Sequence, residues 1–268
     1  MLQTSIDVPD AIVLATAETY ESFHSISQEV SEWVERMHGS FIHALVEQGG
    51  EVDVWVHVRG ETERKVSYPR DWEKSIAELA AGQITSISIG AAVPADALRG
   101  LKTFRLWTTP VQGAPEITRI TFFARPSALI DELLPPPSVW AQAIQEGAVA
   151  IRAVDGFLTV GRAAIVGTAY EDQLMRSPLV GVQEAGTLVR GFFWGSILSA
   201  RHIAALGGIR RVKQDAPVVR VVDLSRPNHE LVYLELTSDL FAVAEDDEEQ
   251  LREFLAPVLP TANSVRHP

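Results

Sequence analysis

The stretch from Val189 to Leu236, VRGFFWGSILSARHIAALGGIRRVKQDAPVVRVVDLSRPNHELVYLEL, constrains the fold more than any other part of the chain, because its local signals agree with one another. Leu188, Arg190, Phe192 and Trp194 alternate with Val189, Gly191 and Phe193, a pattern expected of a strand buried on both faces. Ser199 is placed to cap a helix, and Leu198 before it can staple onto Ile203. Gly207-Gly208 supplies residues that tolerate the left-handed conformation closing a helix. Two alternating runs follow, Val218–Leu224 and Leu231–Leu236, joined through Pro227 and Asn228. The expectation is strand, helix, hairpin, with Phe192, Trp194, Leu206 and Leu234 in the core.

Upstream, Ala11–Thr16 reads as a strand. Phe23, Ile26, Val30, Trp33, Val34 and Met37 recur at helical spacing up to Gly39, which is expected to end the helix. Residues 40–60 fit a hairpin turning at Gly49-Gly50. Its second strand sets Val52, Val54, Val56 and Val58 on one face and Asp53, Trp55, His57 and Arg59 on the other. A helix is expected over Asp71–Ala81, closed by Gly82, then strands at Ile84–Ile89, Leu101–Thr108 and Glu116–Ala124, and a short helix over Ser127–Leu134. Pro135-Pro136-Pro137 is the clearest punctuation in the chain. After it come a helix from Ser138 to Gln145 stopped by Gly147, and strands at Ala148–Val154 and Phe157–Val166. Thr168–Gly186 has no clear period. A last helix spans Asp246–Ala256, with Asp246 and Glu249 at capping-box spacing, Leu251, Phe254 and Leu255 as its apolar stripe, and Pro257 as its stop. These signals predict an α+β protein of two lobes, residues 1–134 and 138–268, with mainly antiparallel sheets flanked by helices.

Charge narrows the function classes. The chain carries a formal −12 at pH 7, which argues against duplex nucleic acid as a partner, since such binders need a basic footprint. The charge is uneven: residues 1–63 hold 12 acids against two bases, residues 239–253 hold seven acids against one, and residues 64–238 carry a small positive excess. Concentrated acidity of this kind suits a basic partner, whose encounter it accelerates. No apolar run reaches the roughly 18 residues of a membrane span, and MLQTSIDVPD lacks the basic and apolar regions of a secretory signal. A cytoplasmic protein with no membrane partner is expected. There is no cysteine, hence no thiolate nucleophile and no cysteine metal site.

Enzyme motifs are missing: no phosphate loop, dinucleotide-binding glycine pattern, nucleophile elbow or HExxH pair occurs. Histidine spacing does not suit a metal, so no cofactor or metal is expected. Asp53, Trp55 and His57 project from one strand face; a histidine beside a carboxylate could serve as a base, but an aromatic among charges is also what interfaces use for their strongest contacts. Asp246, Asp247, Glu248 and Glu249 form a second candidate contact surface at a helix start. The reading favoured by these residues is partner binding by Asp53, Trp55, His57 and the four acids. A hydrolase or ligand-binding enzyme using His57 and Asp53, or a structural adaptor subunit, are the alternatives.

The run Arg190–Trp194, then Leu198, His202, Leu206-Gly207-Gly208 and the paired strands beyond, resembles the C-terminal part of a bacterial immunity-protein family, the immunity protein 52-like domain, over about the last 80 residues. That resemblance implies a non-catalytic protein associated with type VI secretion. Such a protein binds a cognate basic toxin of nuclease type and occludes its active site, acting as a monomer or homodimer.

Overall fold

The structure is a computed structural model that describes residues 11–97, 102–125, 128–129, 132–162 and 168–261. Its frame is one ten-stranded antiparallel sheet. In chain order the strands are β1 (Ala11–Thr19), β2 (Glu51–Val58), β3 (Glu63–Val66), β4 (Ile84–Ala92), β5 (Phe104–Val111), β6 (Ala114–Ala124), β7 (Asp155–Arg162), β8 (Gly195–Ser199), β9 (Arg220–Asp223) and β10 (Leu231–Glu235). Across the sheet they run β3-β2-β4-β5-β6-β1-β7-β8-β10-β9. The first strand lies at the centre, paired with β6 on one side and β7 on the other. The fold is therefore α+β, and the sheet continues without a break past the proline run.

Helices α1 (Ser27–Met37), α2 (His43–Glu47), α3 (Trp72–Ala80) and α5 (Pro137–Ala150) pack on one face. Four short helices, α4 (Pro94–Ala97), α6 (Ala169–Gln173), α7 (Pro178–Glu184) and α8 (Ala200–Ala205), and then α9 (Ile209–Asp215) and α10 (Glu245–Leu255), complete the described set. Under α1 and α5 the core is aromatic: Phe41, Phe104, Phe122 and Trp140 meet with ring centres 5.1–6.5 Å apart. The Trp33 indole donates to the Ala143 carbonyl at 2.9 Å, fixing α1 against α5. None of the helices is long and apolar enough to cross a membrane, among the described residues.

Several expectations change, each for a packing reason. Gly39 does not end the first helix: a π-helical turn, His38–Ile42, carries it into α2. Phe41, Ile42 and Leu45 are buried on the core side by that continuation, so residues 40–47 are helical and no hairpin forms there. Gly147 does not stop its helix either. A Cβ there would lie 2.5 Å from Ile120 and 2.9 Å from the Trp33 indole nitrogen, so the glycine is what lets α5 sit this close to the sheet and α1. The helix accordingly runs to Ala150, and Ala148–Val154 is no strand.

In the C-terminal stretch, Val189–Trp194 is an irregular segment and the strand begins at Gly195. Its alternating aromatics serve two different clusters, Phe192 and Trp194 in one and Phe193 in the other. Ser199 does cap a helix, its amide donating to His202 Nδ1 at 3.3 Å. Gly207 and Gly208 both take positive φ, but a second helix, α9, follows before the hairpin of β9 and β10. The last helix starts at Glu245, so the residue three into it is Asp247, which accepts from the Ala244 amide at 3.2 Å, rather than Glu249. The helix expected to begin at Ser127 starts outside the described residues.

Candidate binding surface

The two faces of the sheet are treated differently. Helices cover the face formed by Val54, Val56, Ile87, Ile89, Leu106, Ile120 and Phe122. Strand alternation sends the intervening side chains to the opposite face. Register places one row of them across the sheet: Lys65, Trp55, Ser88, Trp107, Thr121, Thr16 and Phe157.

Over its middle this second face is closed by residues 168–194. Leu179 and Val182 of α7 pack on Ala114 and Ile117, and the Tyr20 hydroxyl donates to the Gln183 carbonyl and accepts from the Gly186 amide, both at 2.9 Å. Beneath this segment lies a buried ionic cluster. Glu18 Oε1 accepts from Arg119 Nε at 2.8 Å and from Arg190 Nη1 at 2.8 Å. Arg190 also engages Glu171 through two parallel bonds of 2.9 Å. Glu171 in turn caps α6 by accepting from the Thr168 amide. Burial and the neighbouring Glu18 push the Asp155 carboxyl well above its ordinary value. Burial lowers the Arg190 guanidinium, yet Glu18 and Glu171 outweigh it and the net shift is upward. Gly181 is required by this arrangement, since a Cβ there would meet the Glu171 carboxylate.

Over β2 to β5 no described helix covers the second face. Trp55 stands 39% exposed, with Lys65 Nζ 5.7 Å from its ring centre. Trp107 is half-buried; Arg105 lies 5.6 Å over its ring and Phe123 meets it edge-on at 5.6 Å. The two tryptophans are separated by one strand, roughly 10 Å at ordinary strand spacing. Arg105 is exposed and gives its Nε and Nη2 hydrogens to the Ser88 hydroxyl at 3.3 and 3.2 Å.

The residues singled out from the sequence fall into two groups. Asp53, Trp55 and His57 do share this open face. Asp53, however, is held by Lys102 at 2.6 Å and Lys65 at 2.8 Å, and those bonds, Lys102 first, draw its carboxyl below the usual range. It is not a free charge for a basic partner. His57 lies four residues away along the strand, about 13 Å, so Asp53 does not orient it and the base pair that a hydrolase would need is not formed. Among the described residues no group of three His, Asp or Glu side chains is arranged to hold a metal ion. Of the four acids of α10, Asp247 is the helix cap and Glu249 pairs with Arg252. Glu248 is half-buried, its carboxyl raised by burial and by Glu245. Asp246 is exposed and enters no ion pair among the described residues. On the opposite, helical side of the sheet, Glu29 and Glu32 of α1 add acidity beside the Arg36–Glu146 pair, along a groove of about 320 Å³ that also reaches Arg226.

Sequence reasoning missed Arg105 and Trp107. The alternation of Arg105, Trp107 and Thr109 against Phe104, Leu106 and Thr108 carries the same polar-aromatic signal as β2, but only register shows that the two strands present it to one surface.

No protein-family model matches the chain, and no curated protein matches it in sequence. A solved structure does: the Pseudomonas aeruginosa T6SS protein PA0821 covers 93% of this chain with 73% of its own length, at a TM-score of 0.58 and 11% identity. The chain shares the fold of a type VI secretion protein. That likeness spans both halves, whereas the resemblance to an immunity protein 52-like domain concerned the last 80 residues and finds no matching family model.

Proposed function

We propose that this protein is an immunity protein of a type VI secretion system, which binds a cognate basic toxin of nuclease type and blocks its active site. The observation that carries the reading is the face over β2 to β5 that no described helix covers, where Trp55 and Trp107 are set among Lys65, Arg105 and His57 on a rigid scaffold. Tryptophan and arginine supply most of the energy of protein interfaces when a partner excludes water from them. A rigid sheet presents them without a cost in loop ordering. The exposed acids of α1 and α10 supply the long-range attraction that brings a basic partner in. The shared fold with a T6SS protein supports the setting.

The experiment is co-expression with a candidate basic nuclease toxin, read as growth rescue and as a stoichiometric complex of purified proteins. Trp55→Ala should weaken the complex about 30-fold, equivalent to about 2 kcal/mol. Absence of any complex, or purified protein that turns over a substrate with loss of turnover in His57→Ala, overturns the proposal.

A further inference from the structure

Arg105, on the open face, leaves most of its hydrogen-bonding capacity unused among the described residues. A guanidinium carries five N–H donors in a fixed fork, and here Nε and Nη2 converge on a single hydroxyl, Ser88 Oγ. No carboxylate lies within ion-pair distance of it among the described residues. Around it, Lys65, Lys102 and Arg105 face one carboxylate, Asp53, which the two lysines already hold. The centre of this face thus carries a local excess of two positive charges on a chain of net −12; Glu51 and Glu63 stand at its rim.

The same sheet face shows how such an arginine is completed. Arg190 lies 5.9 Å over the Phe157 ring, as Arg105 lies 5.6 Å over Trp107. Arg190 is closed by the carboxylate of Glu171, bound side by side through Nε and Nη2. Arg105 has the ring and lacks the carboxylate.

We infer that the centre of the open face, Arg105 on Trp107 beside Trp55, is a docking site for a carboxylate-bearing segment of a partner protein, whose Asp or Glu side chain completes the Arg105 guanidinium. The inference rests on reading this face as a contact surface and adds the chemistry of the group that touches it. Bidentate pairing gives both strength and orientation to such a contact. A single-stranded nucleic acid also uses cations and aromatic rings. Here, though, Lys65 and Arg105 lie against the tryptophan faces on which bases would stack.

The test uses the whole protein and hexaglutamate as probe, at physiological salt, with hexalysine and a dT hexanucleotide in parallel. Binding is read from the arginine Nε–H and tryptophan indole N–H signals in NMR. Hexaglutamate should shift the signals of Arg105, Trp107 and Trp55. Arg105→Gln should weaken it about tenfold and Arg105→Lys less, because the charge remains and the fork is lost. Arg105 is exposed, so an unchanged thermal melt is expected and shows that each variant is folded. No shift at these residues with hexaglutamate, equal binding by Arg105→Gln, or preference for the oligonucleotide or hexalysine overturns the inference. Acidic-peptide binding without any toxin complex removes the preceding proposal and leaves this one standing; a toxin complex indifferent to Arg105→Gln does the reverse.

Discussion

Two arginine–aromatic pairs on one face of the same sheet have opposite fates. Arg190 and Phe157 are roofed by α6 and α7 and locked by Glu18 and Glu171, with exposure of a few per cent at most. Arg105 and Trp107 have no roof among the described residues and no carboxylate. The first pair is part of how the protein holds itself together. The second has the same chemistry without the groups that would close it. Desolvation is the physical difference. A buried charge must be matched within the chain or the fold does not survive, while an exposed one can wait for water or for another molecule.

The largest effect expected from this contrast is on stability. Arg190→Ala removes the arginine that pairs with buried Glu171 and leaves Glu18 with Arg119 alone, and should cost about 3–5 kcal/mol, measured by urea unfolding; Arg105→Ala should stay within about 0.5 kcal/mol. Equal effects of the two would break the comparison. Next, acid should strike the buried side. Burial lowers His202 from 6.5 to about 4. Stability linked to it is therefore complete above pH 6.5, falls as the pH drops, and levels off below pH 4. The total loss should be about 3 kcal/mol, from the value of one pKa unit. His202→Gln should remove that segment of the pH profile.

Trp55→Ala sharpens the other side: about 2 kcal/mol lost in partner binding with the unfolding midpoint unchanged. Asp155 has its folded-state pKa raised, so its contribution is present below about pH 4 and lost as pH rises through the folded value. Asp155→Asn should flatten the fall in stability as pH rises above about 4, and a profile identical to wild type would show that Asp155 does not contribute to it. The smallest effect concerns steering. Glu29→Gln with Glu32→Gln should slow association with the toxin by about threefold at low salt and leave dissociation alone. The difference should vanish near 1 M salt, where the Debye length is about 3 Å.

How much of the site could be read in advance follows the same division. The face shared by Asp53, Trp55 and His57 is legible because strand alternation is local and has a period of two. That Asp53 is neutralised is not legible, since Lys65 reaches it from β3 and Lys102 from the segment before β5. The acids of α10 are legible as a helix start, but the start lies at Glu245, and this reassigns Asp247 from contact to cap.

The amino-acid sequence by itself determined the α+β class, most of the strands, the Ser199 cap, the glycine closure at Gly207-Gly208 and the polar-aromatic face of β2. All of these depend on neighbours a few residues away. Only the tertiary structure decided that Gly39 and Gly147 lie inside helices, because packing of Phe41, Ile42 and Leu45, and the approach of α5 to Trp33 and Ile120, outweigh glycine's weak helix propensity. It also decided that Glu18, Arg119, Glu171 and Arg190, scattered over more than 170 residues, share one buried cluster. Pairings of that separation leave no period in a sequence; they exist only once the sheet has set β1 between β6 and β7 and residues 168–194 have crossed over them.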